Sequence, residues 1–164
     1  ELTKKGVPNK ILWESKHQVA LQKLIDDLTN TTTLSTIDYS KGFGLATDAS
    51  GVAVGCCLFQ GSGEGAEVPI AFASLKLTPT QTRWSTIERE AYAVVWALSK
   101  FKSWILLSEI VIFSDHNPLT YLTESVSKSA KLTRWALAIQ EFNLTFQYRS
   151  GKQNIVADVL SRLS

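Results

Sequence analysis

Methionine is absent from this chain of 164 residues, and cysteine occurs only twice, as the adjacent pair Cys56 and Cys57. Neighbouring residues on a strand point to opposite faces, so these two are badly placed to bond each other. With no second pair there is no disulfide framework, which fits a reducing compartment. Two histidines, His17 and His116, beside one Cys-Cys pair do not make a zinc site of the usual spacing. The longest apolar run, residues 91–98, is far short of a membrane span. The opening Glu-Leu-Thr-Lys-Lys lacks the apolar centre of a signal peptide. No Gly-x-Ser-x-Gly elbow is present, and the glycine-rich residues 61–65 lack the Lys-Ser/Thr of a phosphate loop. Charge of one sign is also lacking. Lys+Arg 17 against Asp+Glu 15 leaves a net +2, which neither demands a polyanionic partner nor excludes one. A chain that starts without Met and holds none reads as a piece of a longer polypeptide.

What is present is an ordinary globular composition, 45% hydrophobic and 20% charged, in a length that suits one domain with a short appendage. Trp13, Val19, Ala20, Leu21, Leu24, Ile25 and Leu28 fall at a helical period with charges between them, and Thr29-Asn30-Thr31-Thr32-Thr33 breaks it. Residues 1–40 therefore read as a helical connector and 41–164 as the main domain. From Gly42 the pattern turns to strands: 43–47 ending at Asp48, then 52–60, a hairpin loop at 61–65, and 68–75, an antiparallel meander. Residues 80–102 carry Ile87, Ala91, Val94, Val95, Leu98 and Phe101 at three- and four-residue steps, a long helix. Residues 110–114 form a strand ending at Asp115, and Asn117-Pro118 opens a helix. A helix at 130–141, a strand at 144–148 and a last helix at 153–163 follow. This order describes an α/β fold, a five-stranded mixed sheet of three antiparallel strands with parallel additions, flanked by helices.

Four acids stand at special places on this framework. Asp48 and Asp115 end strands, Asp158 lies early in the last helix, and Glu90 sits beside the apolar face of the long helix. Each lies in an apolar neighbourhood, and they can meet only through folding. Gathered carboxylates repel, and one protonates unless a cation neutralises them. Carboxylates favour hard ions such as magnesium or manganese, and a pair of ions about 3.5–4 Å apart serves in-line phosphodiester cleavage. An Asp at a strand end also serves as a simple cap, and spacing alone does not choose between the two roles.

Thr47-Asp48-Ala49-Ser50, residues 69–78, and Trp84-Ser85-Thr86-Ile87-Glu88-Arg89-Glu90-Ala91 with the Val-Val-Trp run resemble the ribonuclease H domain of Ty3/gypsy-type retrotransposon polyproteins. Ser114-Asp115-His116-Asn117-Pro118-Leu119 and residues 148–162 resemble its later blocks, in the right order. The lead-in resembles the stretch that joins the polymerase to that domain. The resemblance implies a ribonuclease H-like fold and an endoribonuclease that cuts the RNA strand of RNA–DNA hybrids during reverse transcription. It implies two Mg2+ ions, with Mn2+ as a substitute, held by Asp48, Glu90, Asp115 and Asp158. One ion would activate water and the other would stabilise the leaving oxygen. Glu88 is the rival of Glu90. Its position two residues away faces another direction, and the family block selects Glu90. Tyr148 stands where related enzymes carry a mobile histidine; a group titrating near 10 positions or hydrogen-bonds rather than acting as a base. His116 matches the family and reads equally as a helix-capping turn residue.

The implied partners are the hybrid and a polymerase domain of the same polyprotein, in a particle or nucleoprotein complex of the cytoplasm or nucleus. No membrane is involved, and the oligomeric state is open. Lys128, Lys131 and Arg134 flank Trp135 with no acid between them, which suits either a solvated helix start or a phosphate-contacting edge. Ile87 stands where some viral members have a polar residue, so no substrate contacts carry over. A catalytically silent module that binds nucleic acid or protein is the alternative reading.

Overall fold

A computed structural model describes residues 14–31, 34–61, 67–115 and 130–162, and the chain divides into two compact units, 1–33 and 34–164. Several expected features lie outside the described residues: Trp13, the hairpin tip 62–65, His116, the helix after Asn117-Pro118, and Lys128. The side chains of Leu24, Ile25 and Leu28 do so too.

The first unit holds helix α1 (Ser15–Thr31). It runs past the expected break at Thr29, since a β-branched residue costs a helix only some tenths of a kcal/mol. Val19 on this helix is 69% exposed.

The second unit is built on a five-stranded sheet: β1 (Phe43–Ala49), β2 (Ala53–Gln60), β3 (Val68–Lys76), β4 (Glu109–Ser114) and β5 (Asn143–Tyr148), in the spatial order β3-β2-β1-β4-β5. The first three are antiparallel, while β4 joins β1 and β5 joins β4 in parallel. Helix α2 (Thr86–Ile105) makes the crossover to β4. Helices α3 (Ala130–Ile139) and α4 (Ile155–Ser161) come before and after β5. Among the described residues no helix is long and apolar enough to cross a membrane.

Helix α2 starts at Thr86 rather than at residue 80, for a local reason. Ser85 is the N-cap of a reciprocal capping box with Glu88: its hydroxyl accepts the Glu88 N–H at 3.3 Å, and the Glu88 carboxylate accepts the Ser85 N–H at 3.0 Å. Residues ahead of it form a separate 3-10 turn, Gln81–Arg83. The last helix likewise begins later than expected. Asn154 at its N-cap position sends its side-chain amide to the Thr47 carbonyl at 2.9 Å instead of to its own helix.

Strand alternation sorts the core into two faces. Phe43, Leu45, Cys56, Leu58, Ile110 and Ile112 pack under Ala91, Val94, Leu98, Phe101 and Ile105 of α2. Ala46, Cys57, Phe59 and Phe113 face the other way, with Ala157 of α4. The cysteines thus sit on opposite faces, both free and both buried, and burial pushes each thiol up to about 12. Helix α4 presses very close to β2 at Gly55. A Cβ there would lie 2.5 Å from the Ser161 nitrogen and 2.6 Å from the Ala157 carbonyl oxygen, which only glycine avoids.

Residues 34–40, assigned to the connector from the sequence, are hydrogen-bonded to the sheet together with Lys41. The buried Gln60 side chain donates to the carbonyls of Asp38 and Lys41 at 2.8 and 3.2 Å and accepts the Asp38 N–H at 3.0 Å. Ser35 donates its N–H to the Pro69 carbonyl at 3.1 Å, and Ile37 packs on the main core. We predict that removing residues 1–33 leaves cooperative urea unfolding of the second unit with its stability changed by less than about 1 kcal/mol. Removing residues 1–42 should cost about 1–3 kcal/mol, because the Gln60 amide then lies buried without its three partners. Equal midpoints for the two truncations would place segment 34–42 outside the folded unit.

Candidate active site

Parallel pairing sets the site. Ala46 of β1 is in register with Phe113 of β4, so two residues further on Asp48 and Asp115 stand level at the C-terminal ends of neighbouring strands. Over them lies the N-terminal part of α2, whose capping box fixes where Glu90 comes round. One carboxylate oxygen from each of Asp48, Glu90 and Asp115 lies within 4.8 Å of the others. Asp48 is 8% and Glu90 2% exposed.

The electrostatics follow from that crowding. Burial, then the charges of Asp48 and Asp115, push the Glu90 carboxyl up from the usual 4.5 to about 8. Burial also raises Asp48, with Asp158 and Asp115 adding to the effect and a hydrogen bond from Ser161 opposing it. Glu90 Oε1 accepts the Ala49 N–H at 3.2 Å, whereas its Oε2 is buried with no hydrogen-bond partner among the described residues. An orphaned buried oxygen within a set of hard anionic donors fits a divalent cation of the magnesium class. These residues could therefore hold such a metal.

The two helical acids separate cleanly. Glu90 belongs to the cluster. Glu88 is spent on the capping box and on Lys131, whose ammonium lies 2.6 Å from it and 4.1 Å from the centre of the Trp84 ring. That ties α2 to α3 and takes Lys131 out of a simple solvated edge. Arg134 is exposed, its Nε donating to the Ala130 carbonyl at 3.2 Å.

Asp158 stands apart from the 4.8 Å set. Its Oδ1 accepts both Nε and Nη2 of Arg162, at 2.8 and 2.6 Å, and this hydrogen bonding holds its carboxyl below the usual range. It is near enough to raise Asp48 electrostatically. Tyr148 ends β5 opposite Ser114 and is 78% exposed, so it is not a packing residue of the described chain. Two residues that the sequence did not single out touch the site strand: Asn154, through the Thr47 carbonyl, and Ser161, whose hydroxyl donates to Asp48 Oδ2 at 2.5 Å.

The raised Glu90 gives a pH-dependence with a definite sign. The folded protein keeps a proton that the unfolded chain has shed above about 4.5, so metal-free stability falls as pH rises toward about 8. Urea midpoints in EDTA should decline between pH 5 and pH 8, by the equivalent of a few kcal/mol at most. E90Q should flatten that slope, and added Mg2+ at pH 8 should raise the parent's midpoint. A flat parent profile would show that the cluster carries no strain.

Comparison with known proteins gives the family and the fold. Residues 38–142 match the family described as the RNase H-like domain found in reverse transcriptase. The retrovirus-related Pol polyprotein from transposon 412 of Drosophila melanogaster is 41% identical over 163 residues, 99% of this chain and 13% of that polyprotein. The Pol polyprotein from transposon gypsy of the same organism is 42% identical over 126 residues, 76% of this chain and 12% of the polyprotein. The chain thus spans about an eighth of the length of these relatives. Among solved structures, the foamy viral protease-reverse transcriptase in complex with RNA/DNA hybrid shares the fold with a TM-score of 0.62 at 21% identity, over 88% of this chain and 20% of that one. By the span of the family match and the likeness to these polyproteins, the chain belongs to the RNase H-like domains of reverse transcriptases, of the kind carried by gypsy-type retrotransposons.

Proposed function

We propose that this domain is a hybrid-specific endoribonuclease, cutting the RNA strand of RNA–DNA hybrids made by a polymerase of the same polyprotein. The observation that carries the reading is the triad Asp48, Glu90 and Asp115, with a buried carboxylate oxygen that has no partner among the described residues. Asp48, Glu90 and Asp115 would hold the metal, with Asp158 as the fourth acid once its carboxylate leaves Arg162. Two Mg2+ ions, or Mn2+ in their place, would supply Lewis-acid polarisation of the phosphodiester and a water acidic enough to attack at neutral pH.

The chain's own groups prepare the rest. The Ala49 N–H holds one oxygen of Glu90 and so orients the other. Strand ends β1 and β4 present their acids at one level, so that a bound phosphodiester meets both together. Tyr148, exposed at the end of the neighbouring strand, would steady a ligand by hydrogen bonding, and His116 stays a candidate for the same task. The foamy viral relative solved with an RNA/DNA hybrid supports the choice of substrate. The Pol polyprotein relatives support a polymerase partner, and a nucleoprotein particle of the cytoplasm or nucleus is the setting we propose with it.

The test is cleavage of a labelled hybrid in Mg2+ or Mn2+. D48N and E90Q should each lose orders of magnitude in rate, since a lost ligand misplaces the group that positions the phosphate. E88Q should stay within a few-fold of the parent while unfolding at lower urea, by about 1 kcal/mol for the lost cap and ion pair. Y148F should slow cleavage by about 10²-fold or less. A parent that binds Mg2+ and hybrid yet leaves the RNA uncut, alone and beside its polymerase, would make the domain a silent binding module.

A further inference from the structure

Helix α4 is fastened to the sheet by side-chain hydrogen bonds at both of its ends, to β1 and the residue after it and to β3. At its start, Asn154 reaches the Thr47 carbonyl. At its end, the Ser74 hydroxyl donates to the Leu160 carbonyl at 2.7 Å, and the Ser50 hydroxyl donates to the Ser161 carbonyl. Gly55 removes the side chain that would otherwise keep this turn off β2. The fully buried Ser161 thereby comes against Asp48, and its hydroxyl donates to Asp48 Oδ2 at 2.5 Å.

We propose that Ser161 is a positioning residue for Asp48, holding one carboxylate oxygen so that the group keeps a single orientation toward Glu90 and Asp115. The last torsion of an aspartate is broad and roughly two-fold, so its setting has to come from outside the residue. Two further carboxyl groups crowd Asp48 within 4.8 Å, and the Ser161 hydroxyl is a donor that fixes one of its oxygens. Ser161 Oγ also lies 2.9 Å from the Asp158 carbonyl oxygen. With one proton and two acceptors, the charged one is preferred. The proton therefore goes to Asp48, and the Asp158 carbonyl oxygen is a close neighbour of the hydroxyl rather than its partner.

This role rests on the reading of the triad as a metal site, and the test separates the two. Mg2+ alone is titrated calorimetrically into the 164-residue chain and its variants, and metal-free thermal midpoints are measured in EDTA. S161A, which puts a smaller and better helix former in the same turn, should fold with a midpoint near the parent's and bind Mg2+ ten- to a hundred-fold more weakly. S74A removes a fastening of the same helix turn that does not touch Asp48. It should lower the midpoint and leave affinity within about three-fold. S161A binding within three-fold of the parent overturns the proposal, as does an S74A loss equal to that of S161A. A parent that takes up no Mg2+, or a D48N variant that binds as the parent does, overturns the metal site itself and the role of Ser161 with it.

Discussion

Three carboxylates held within 4.8 Å of one another repel, and the second unit is arranged to hold them there. In water such groups would separate or protonate. Here their backbones belong to elements that cannot move independently. Asp48 and Asp115 extend two hydrogen-bonded parallel strands, and Glu90 sits on a helix whose buried face covers those strands. The apolar core under α2 therefore does electrostatic work: it supplies the free energy that keeps three carboxyl groups adjacent, with Glu90 pushed up to about 8 as the result. A cation bound there would relieve strain already present in the fold.

Helix α2 serves two purposes with residues two apart. Glu88 stabilises the helix start and joins it to α3 through Lys131, whose ammonium also lies over the rings of Trp84 and Trp135. Trp84, Tyr92 and Trp135 are in mutual ring contact around this junction. The junction sets the rotation of the helix, and that rotation aims Glu90. Loss of Glu88 would thus be felt first as looseness in α2 and only secondarily at the site.

Much of this was legible in the sequence because it depends on periodicity. Residues 43–47 and 110–114 read as β-rich runs closing on Asp48 and Asp115, and the apolar face of α2 runs beside Glu90. The order of elements matched the sheet for the same reason. Other features depend on partners distant in sequence, and no local pattern reports them. Ser161 is one small polar residue in an amphipathic turn until Gly55 and Asp48 are seen beside it. Asn154 looks like an ordinary N-cap, yet it bonds across to β1. Residues 34–41 carry no strand or helix signal, and their attachment comes from the amide of Gln60. The start of α2 is a different matter: the Ser85-x-x-Glu88 pattern marks it, and the apolar period from Ile87 onward agrees with it rather than with a start at residue 80.

The opposite-facing cysteines have a practical consequence. A thiol that titrates near 12 offers almost no thiolate at neutral pH, and thiolate is the species that reacts with oxidants and alkylating reagents. Both sulfurs are also shut inside the core, on faces covered by different helices. The folded domain is therefore chemically quiet toward maleimides and air. A single reporter introduced by Leu107→Cys, at a position 99% exposed on the turn between α2 and β4, would be labelled alone in the native protein. Cys56 and Cys57 would then take up reagent only as the sheet opens, which makes them built-in probes of unfolding.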